Sequence, residues 1–190
     1  MKRRRVFIGI DVPPDMGKRL AAIIAQRFSD VPIMLGKNDN LHLTLHFIGY
    51  VDDDDVAEIC AAVRARCQTL ALFDVQFTRI ALGPESEKVK NDPREAKMVW
   101  LAGPVNEELM LLQRHVVQTL DQFPKDRKAF RPHITLGRIR ARAWKETNPL
   151  SRSEENVHIL LPVNAVTIYE SVADGRRHRH VPLEVCPLNG

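Results

Sequence analysis

No stretch of this 190-residue chain comes near the roughly 20 consecutive apolar residues that a membrane-crossing helix needs. Its start, Met1-Lys2-Arg3-Arg4-Arg5, carries the charge of a signal-peptide n-region. The apolar run that follows, Val6-Phe7-Ile8-Gly9-Ile10, is too short for an h-region, and it meets Asp11 with no cleavage site. The segment therefore reads as a buried first strand, and a cytoplasmic protein without membrane contact is expected. Cysteine is scarce: Cys60, Cys67 and Cys186 are odd in number and show no CxxC spacing. That argues against a disulfide framework or a zinc site and suits a reduced compartment, with Cys60 and Cys67 as small buried residues of a helix. No Ser or Cys sits in a nucleophile elbow, and no acidic cluster of the two-metal kind accompanies the motifs described below. Low-complexity segments and long linkers are absent as well, so residues 1–190 are expected to form one domain or two small lobes sharing an interface; a monomer is the expected state.

The charge balance, 28 Lys and Arg against 24 Asp and Glu, leaves a formal +4 and a pI near 9.1. This suits a polyanionic partner without specifying one. Periodicity predicts a strand over Val6 to Val12 and a helix from Asp15 to Ser29 through Met16, Leu20, Ile23, Ile24 and Phe28. A short strand near Pro32 to Leu35 and a turn at Lys37-Asn38-Asp39-Asn40 lead into a strand from Leu41 to Ile48. Asp52 to Asp55 supply the acidic start of a helix reaching about Thr69, a better reading than a divalent-metal site. Phe73 to Leu82 alternates, with Phe73, Val75 and Phe77 inward; Glu85 to Lys97 reads as a mobile loop, and Met98 to Ala102 as a strand with Trp100 in the core. A helix from Asn106 to Phe123 buries Leu109, Leu112, Val116 and Leu120. A basic loop, Lys125 to Arg131, then precedes a strand from Pro132 to Ile139. Arg140 to Asn156 is polar and basic, and Trp144 within it is a possible RNA contact. Val157 to Glu170 is a strand or a pair broken at Pro162-Val163-Asn164, and a last strand, Arg177 to Val185, follows the turn at Ala173-Asp174-Gly175.

Two of these strands are nearly the same. Leu41-His42-Leu43-Thr44-Leu45 and Pro132-His133-Ile134-Thr135-Leu136 each read His-x-Thr-Leu, 91 positions apart (133 − 42). Composition alone gives about 0.3 His-x-Thr tripeptides in such a chain, so a matched pair is well above chance. On a strand, residues i and i+2 share a face, and each repeat therefore aims an imidazole and a hydroxyl the same way. Repeated element order suggests two halves, each an open antiparallel or mixed sheet with helices on one face. Such halves bring the two histidines together at a central cleft. A histidine pair supplies an acid and a base near neutral pH, titrating as a pair. The threonine hydroxyls can donate to a phosphate oxygen. Arg138 faces away from His133 on a perfect strand, but Gly137 permits a bulge that returns its guanidinium to the cleft as a bidentate phosphate ligand. This inventory fits phosphoryl transfer without a metal better than acyl transfer. His46 shares the face of His42 and Thr44 and is expected to border the cleft. His178 and His180 form an H-x-H pair with no third ligand, read as a solvated basic edge.

The segments Asn40-Leu41-His42-Leu43-Thr44-Leu45-His46-Phe47-Ile48-Gly49, Arg131-Pro132-His133-Ile134-Thr135-Leu136-Gly137-Arg138 and Ile168-Tyr169-Glu170-Ser171 resemble the 2H phosphoesterase superfamily. Within it the chain is most similar to the RNA 2′,3′-cyclic phosphodiesterases, also called 2′-5′ RNA ligases. The resemblance implies an α+β, bilobal, pseudo-twofold fold with sheets lining a cleft and helices outside. It implies hydrolysis of a 2′,3′-cyclic phosphate on RNA or a nucleotide to a 2′-phosphomonoester, with no metal and no cofactor. His42 is then the general acid, His133 the general base, Thr44, Thr135 and Arg138 the phosphate-holding groups, and Phe47 an aromatic that stacks on the terminal base. A Tyr is common in the family where this chain has His178-Arg179-His180. Rival readings are a cyclic phosphodiesterase acting on a small nucleotide such as ADP-ribose 1″,2″-cyclic phosphate, and a non-catalytic RNA-end-binding module.

Overall fold

A computed structural model describes residues 3–36, 40–123, 129–146, 154–175 and 177–190. The elements are β1 (Arg3–Asp11), α1 (Pro14–Arg27), β2 (Ile33–Leu35), β3 (His42–Asp52), α2 (Asp53–Cys67), β4 (Phe73–Gly83), α3 (Glu87–Asn91), β5 (Met98–Ala102), α4 (Glu107–Thr119), β6 (His133–Ile139), α5 (Ala141–Glu146), β7 (Glu154–Val163), β8 (Ala165–Asp174) and β9 (Arg177–Pro187). Helix starts follow the sequence signals. Pro14 opens α1 at a position where its missing N–H costs nothing. The Asp55 carboxylate accepts the Asp52 backbone N–H at 3.1 Å at the head of α2, and Asn106 Oδ1 accepts the Leu109 N–H at 2.7 Å at the head of α4.

The strands run in the order β7-β4-β5-β6-β3-β1-β8-β9, with β2 added beside β6, and the paired strands are antiparallel. Two halves are visible in this order. The sheet β3-β1-β8-β9 and the sheet β7-β4-β5-β6 meet at β3 and β6 through one residue pair, Leu43 and Ile134. One face of the continuous surface carries the core. Leu43, Leu45, Ile134 and Leu136 point into it, and α2 packs against α4 and against strands of the first half. Leu109, Leu112, Val116 and Leu120 are buried as the spacing predicts, as are Met16, Leu20 and Ile24. Each such side chain contributes about 1.5–3 kcal/mol by leaving water. Cys60, Cys67 and Cys186 are free thiols inside this core.

Two expectations change here. Glu85 to Lys97 contains α3, capped by Ser86 Oγ accepting the Val89 N–H at 3.3 Å, and a 3-10 turn at Pro93–Glu95. Buried Val89 and Ala96 pin it, one apolar residue at a time, which leaves no periodicity to read. Trp144 is 1% exposed and donates its indole N–H to the Pro93 carbonyl at 2.9 Å, so it is a core residue and no RNA contact. Residues 125–128 of the basic loop and Lys37-Asn38-Asp39 of the expected turn lie outside the described residues.

Candidate active site

His42 opens β3 and His133 opens β6, on the face of the sheet opposite the core. The Leu43–Ile134 pairing places His42 across from Thr135 and Thr44 across from His133 by the same antiparallel register. The two histidines thus occupy diagonal positions, whose α-carbons in a regular antiparallel pair are about 7–8 Å apart, and the charge of His133 reaches the His42 ring. The environments of the two rings match. His42 Nδ1 lies 2.8 Å from the Asn40 carbonyl and His133 Nδ1 lies 2.8 Å from the Arg131 carbonyl. A carbonyl only accepts, so each Nδ1 carries the hydrogen and each Nε2 remains for proton exchange.

Burial holds both imidazoles below the ordinary histidine value. For His42 the opposing influences are the Asn40 carbonyl and the nearby Asp11 carboxylate, which favour the charged ring, while the His133 charge disfavours it further. For His133 the Arg131 carbonyl and Glu85 push back against burial. A proton on one histidine therefore makes a second proton harder to add, as a shared acid–base pair requires.

A pair of β-bulges completes the face. Opposite β1, Ile8 pairs with His46 and Gly9 with Thr44, so Leu45 is the extra residue. Opposite β5, Val99 pairs with Gly137 and Trp100 with Thr135, so Leu136 is the extra residue. Both bulges stand three positions after a histidine, and both reset the alternation. Phe47 comes back to the histidine face beside Phe7, at 5.6 Å between ring centroids. Arg138 comes back beside Met98, exposed and without an ion-pair partner among the described residues. The bulge expected for Arg138 is present, though at Leu136. Gly137 instead admits β2, since a Cβ there would lie 2.6 Å from Ile33 Cγ2. The same bulge geometry corrects the reading of His46: it pairs with core-facing Ile8 and is buried, away from the cleft.

Several residues of this face lie where the sequence pattern does not place them. The strand pattern places Trp100 in the core; in the structure its ring stacks on His133 at 3.9 Å and 24°, over the bare α-carbon of Gly83, where a Cβ would press 2.6 Å from the indole. The sequence places His180 on a solvated edge, whereas its ring meets His42 edge-on at 4.7 Å and Phe7 at 4.9 Å. Burial, then the His42 charge, push the His180 imidazole down to about 4. The Asn40 side chain ties this edge to the site, donating to the His178 carbonyl at 3.1 Å and accepting the His180 N–H at 3.2 Å. Asp11, whose charge favours protonation of His42, accepts hydrogen bonds from the Thr167 and Tyr169 hydroxyls. Tyr169 in turn stacks on Phe7. The quoted Ile168-Tyr169-Glu170-Ser171 segment and the terminal Asp11 of a strand were the signals available for these contacts.

A twofold strand arrangement with matched histidines, threonines and carbonyl clamps defines a 2H-type phosphoesterase scaffold. The 2′-5′ RNA ligase superfamily profile matches residues 13–175, and the chain belongs to that family. An RNA 2′,3′-cyclic phosphodiesterase of Thermotoga maritima is 31% identical over 139 residues, covering 72% of this chain and 70% of that one. The protein of the same name from Methanocaldococcus jannaschii is 25% identical over 138 residues, 72% of each chain. The crystal structure of E. coli LigT complexed with 3′-AMP superposes with a TM-score of 0.77 at 20% identity over 100% of both chains, and its fold is the one described above.

Proposed function

We propose that this chain is an RNA 2′,3′-cyclic phosphodiesterase, hydrolysing the cyclic end to a 2′-phosphomonoester by paired histidine acid–base catalysis. The observation that carries the reading is the matched pair of imidazoles, each fixed through Nδ1 to a backbone carbonyl and each flanked by a threonine, across one strand junction. The activity named for the Thermotoga and Methanocaldococcus relatives supports the substrate.

His133 Nε2 takes a proton from water as the water oxygen bonds to phosphorus. His42, protonated, gives its Nε2 proton to the departing 3′ oxygen as the P–O3′ bond breaks. The 2′ ester remains, His133 ends protonated and His42 neutral, and proton exchange with solvent restores the starting pair. Thr44 and Thr135 donate to the equatorial oxygens, and Arg138 neutralises charge that grows in the transition state. Phe47, 45% exposed on the same face, stacks on the terminal base. A 5′-hydroxyl in place of water would turn the same groups to 2′-5′ ligation. The two halves work as one bilobal unit, since neither histidine has its partner without the other half.

A short RNA ending in a 2′,3′-cyclic phosphate, incubated with excess EDTA, tests this reading. Conversion to a 2′-phosphate is expected, with a loss of 10²–10⁴-fold in His42→Ala and in His133→Ala. A 3′-phosphate product, or a rate that collapses in EDTA and returns with a divalent metal, would overturn it.

A further inference from the structure

The histidine face continues past Phe47. Gly49 has φ of +96°, and β1 and β3 shift register a second time there: Val6 pairs with Gly49, Phe7 with Phe47, and Ile48 is the extra residue. Strand β1 itself keeps its alternation through this region, so Arg5, Phe7 and Gly9 share one side. Tyr50 pairs with Arg5 and therefore joins the side that holds Phe7, Phe47 and His42. Tyr50 is 61% exposed, a large aromatic residue left in water beside a second one, Phe47.

The three consecutive arginines of β1 divide their work. Arg4 is bound to Asp53 and to Glu170, at 2.7 Å for the second. Arg3 donates to the Tyr50 carbonyl at 2.9 Å and approaches Asp52 at 3.9 Å, so it fixes the Tyr50 backbone. Arg5 is exposed, and no carboxylate pairs with it among the described residues. Its charge still reaches His180, whose ring touches His42, which ties Arg5 to the rim of the cleft.

From this juxtaposition we infer that Tyr50 and Arg5 form a second nucleotide subsite, taking the nucleotide on the 5′ side of the cyclic end. Its base stacks on Tyr50, and the phosphodiester that joins it to the terminal nucleotide meets Arg5. The inference rests on the cyclic phosphodiesterase reading and adds the substrate class: an RNA of two or more nucleotides, in preference to a mononucleotide. From Phe7 to Arg5 the strand rises about 6–7 Å, the scale of one nucleotide step in an extended single strand. Alternating aromatic surface and guanidinium is the pattern by which single strands are held without base reading.

The test compares kcat/KM on a 2′,3′-cyclic mononucleotide with that on a dinucleotide ending in the same cyclic nucleotide, for wild type, Tyr50→Ala and Tyr50→Phe. The wild type should prefer the dinucleotide by about tenfold or more, mostly through KM, with Tyr50→Ala lowering that preference about tenfold and Tyr50→Phe retaining it. Arg5→Ala should flatten the salt dependence of the dinucleotide rate relative to the mononucleotide. A wild-type preference near one, or a preference unchanged in Tyr50→Ala, overturns the subsite while leaving the phosphodiesterase reading intact. Turnover of neither substrate overturns that reading, and the subsite with it.

Discussion

Each cleft imidazole rests on a partner that the motif itself does not contain. His133 lies flat against Trp100 at 3.9 Å, and Trp100 fits only because Gly83 lacks a Cβ beneath the indole. The Arg131 carbonyl fixes one edge of the imidazole, while the indole fixes its plane. Removing the indole should therefore leave His133 with its hydrogen bond but a wider range of tilt, and small misplacements of a proton-transfer group are costly. Trp100→Ala is expected to lower kcat by about 10–100-fold with KM less affected, and Trp100→Phe to restore most of the rate. Single-turnover measurement on a cyclic-phosphate RNA separates the two parameters. An unchanged kcat would mean that the carbonyl clamp alone orients the ring. For His42 the corresponding surfaces are Phe7 and His180, so the two histidines share a hydrogen-bond plan while differing in what they pack on.

At the scale of elements, the face that carries the two histidines depends on where alternation is broken. Regular strands over β3 and β6 would put Phe47 and Arg138 in the core and His46 on the cleft. One extra residue in each strand reverses all three. This explains what the sequence made legible. The helices of the first and second halves, the alternation of β4 and the two His-x-Thr segments follow from period alone, and they are present as expected. A bulge leaves no periodic trace, because it shifts phase without changing composition; Leu45 and Leu136 look like any strand leucine. Trp100 and His180 failed for a different reason: their partners are fixed by strand order, β5 beside β6 and β9 near β3 through Asn40, which is long-range information. Gly137 shows how tightly the second half holds its bulge. A Cβ there would stand 2.6 Å from Ile33 Cγ2 and 2.9 Å from the Met34 carbonyl, so β2 would have to move. Gly137→Ala is expected to destabilise the fold by about 1–3 kcal/mol, read as a lower urea midpoint at unchanged m-value. A midpoint equal to wild type would show that β2 contributes nothing to the hold on β6.

At the scale of the whole molecule, the two imidazoles come to one cleft because two half-sheets meet at one residue pair, Leu43 and Ile134. Each half brings its own imidazole, its own carbonyl clamp and its own aromatic packing. Coupling between the two titrations is therefore a measure of how the halves sit together. Burial lowers both imidazoles from the ordinary 6.5, and the charge of His133 lowers His42 further. The sign follows: between the lowered and the ordinary value the free pair is mostly neutral, so the base limb of the kcat/KM profile is already satisfied near neutrality. The acid limb needs His42 protonated, which rising pH removes. A bell with its maximum on the acidic side of neutrality is expected, with both limbs belonging to the pair. Replacing His133 with Gln removes the opposing charge without emptying the cleft. The His42 ring, followed by NMR through its Cε1–H, should then titrate at higher pH than in the wild type. That rise would have no source within the first half itself, where Asp11, Asn40 and His180 are untouched. If His42 titrates identically in both proteins, the halves do not bring the imidazoles within reach of one another, and a concerted proton transfer across the junction fails with them.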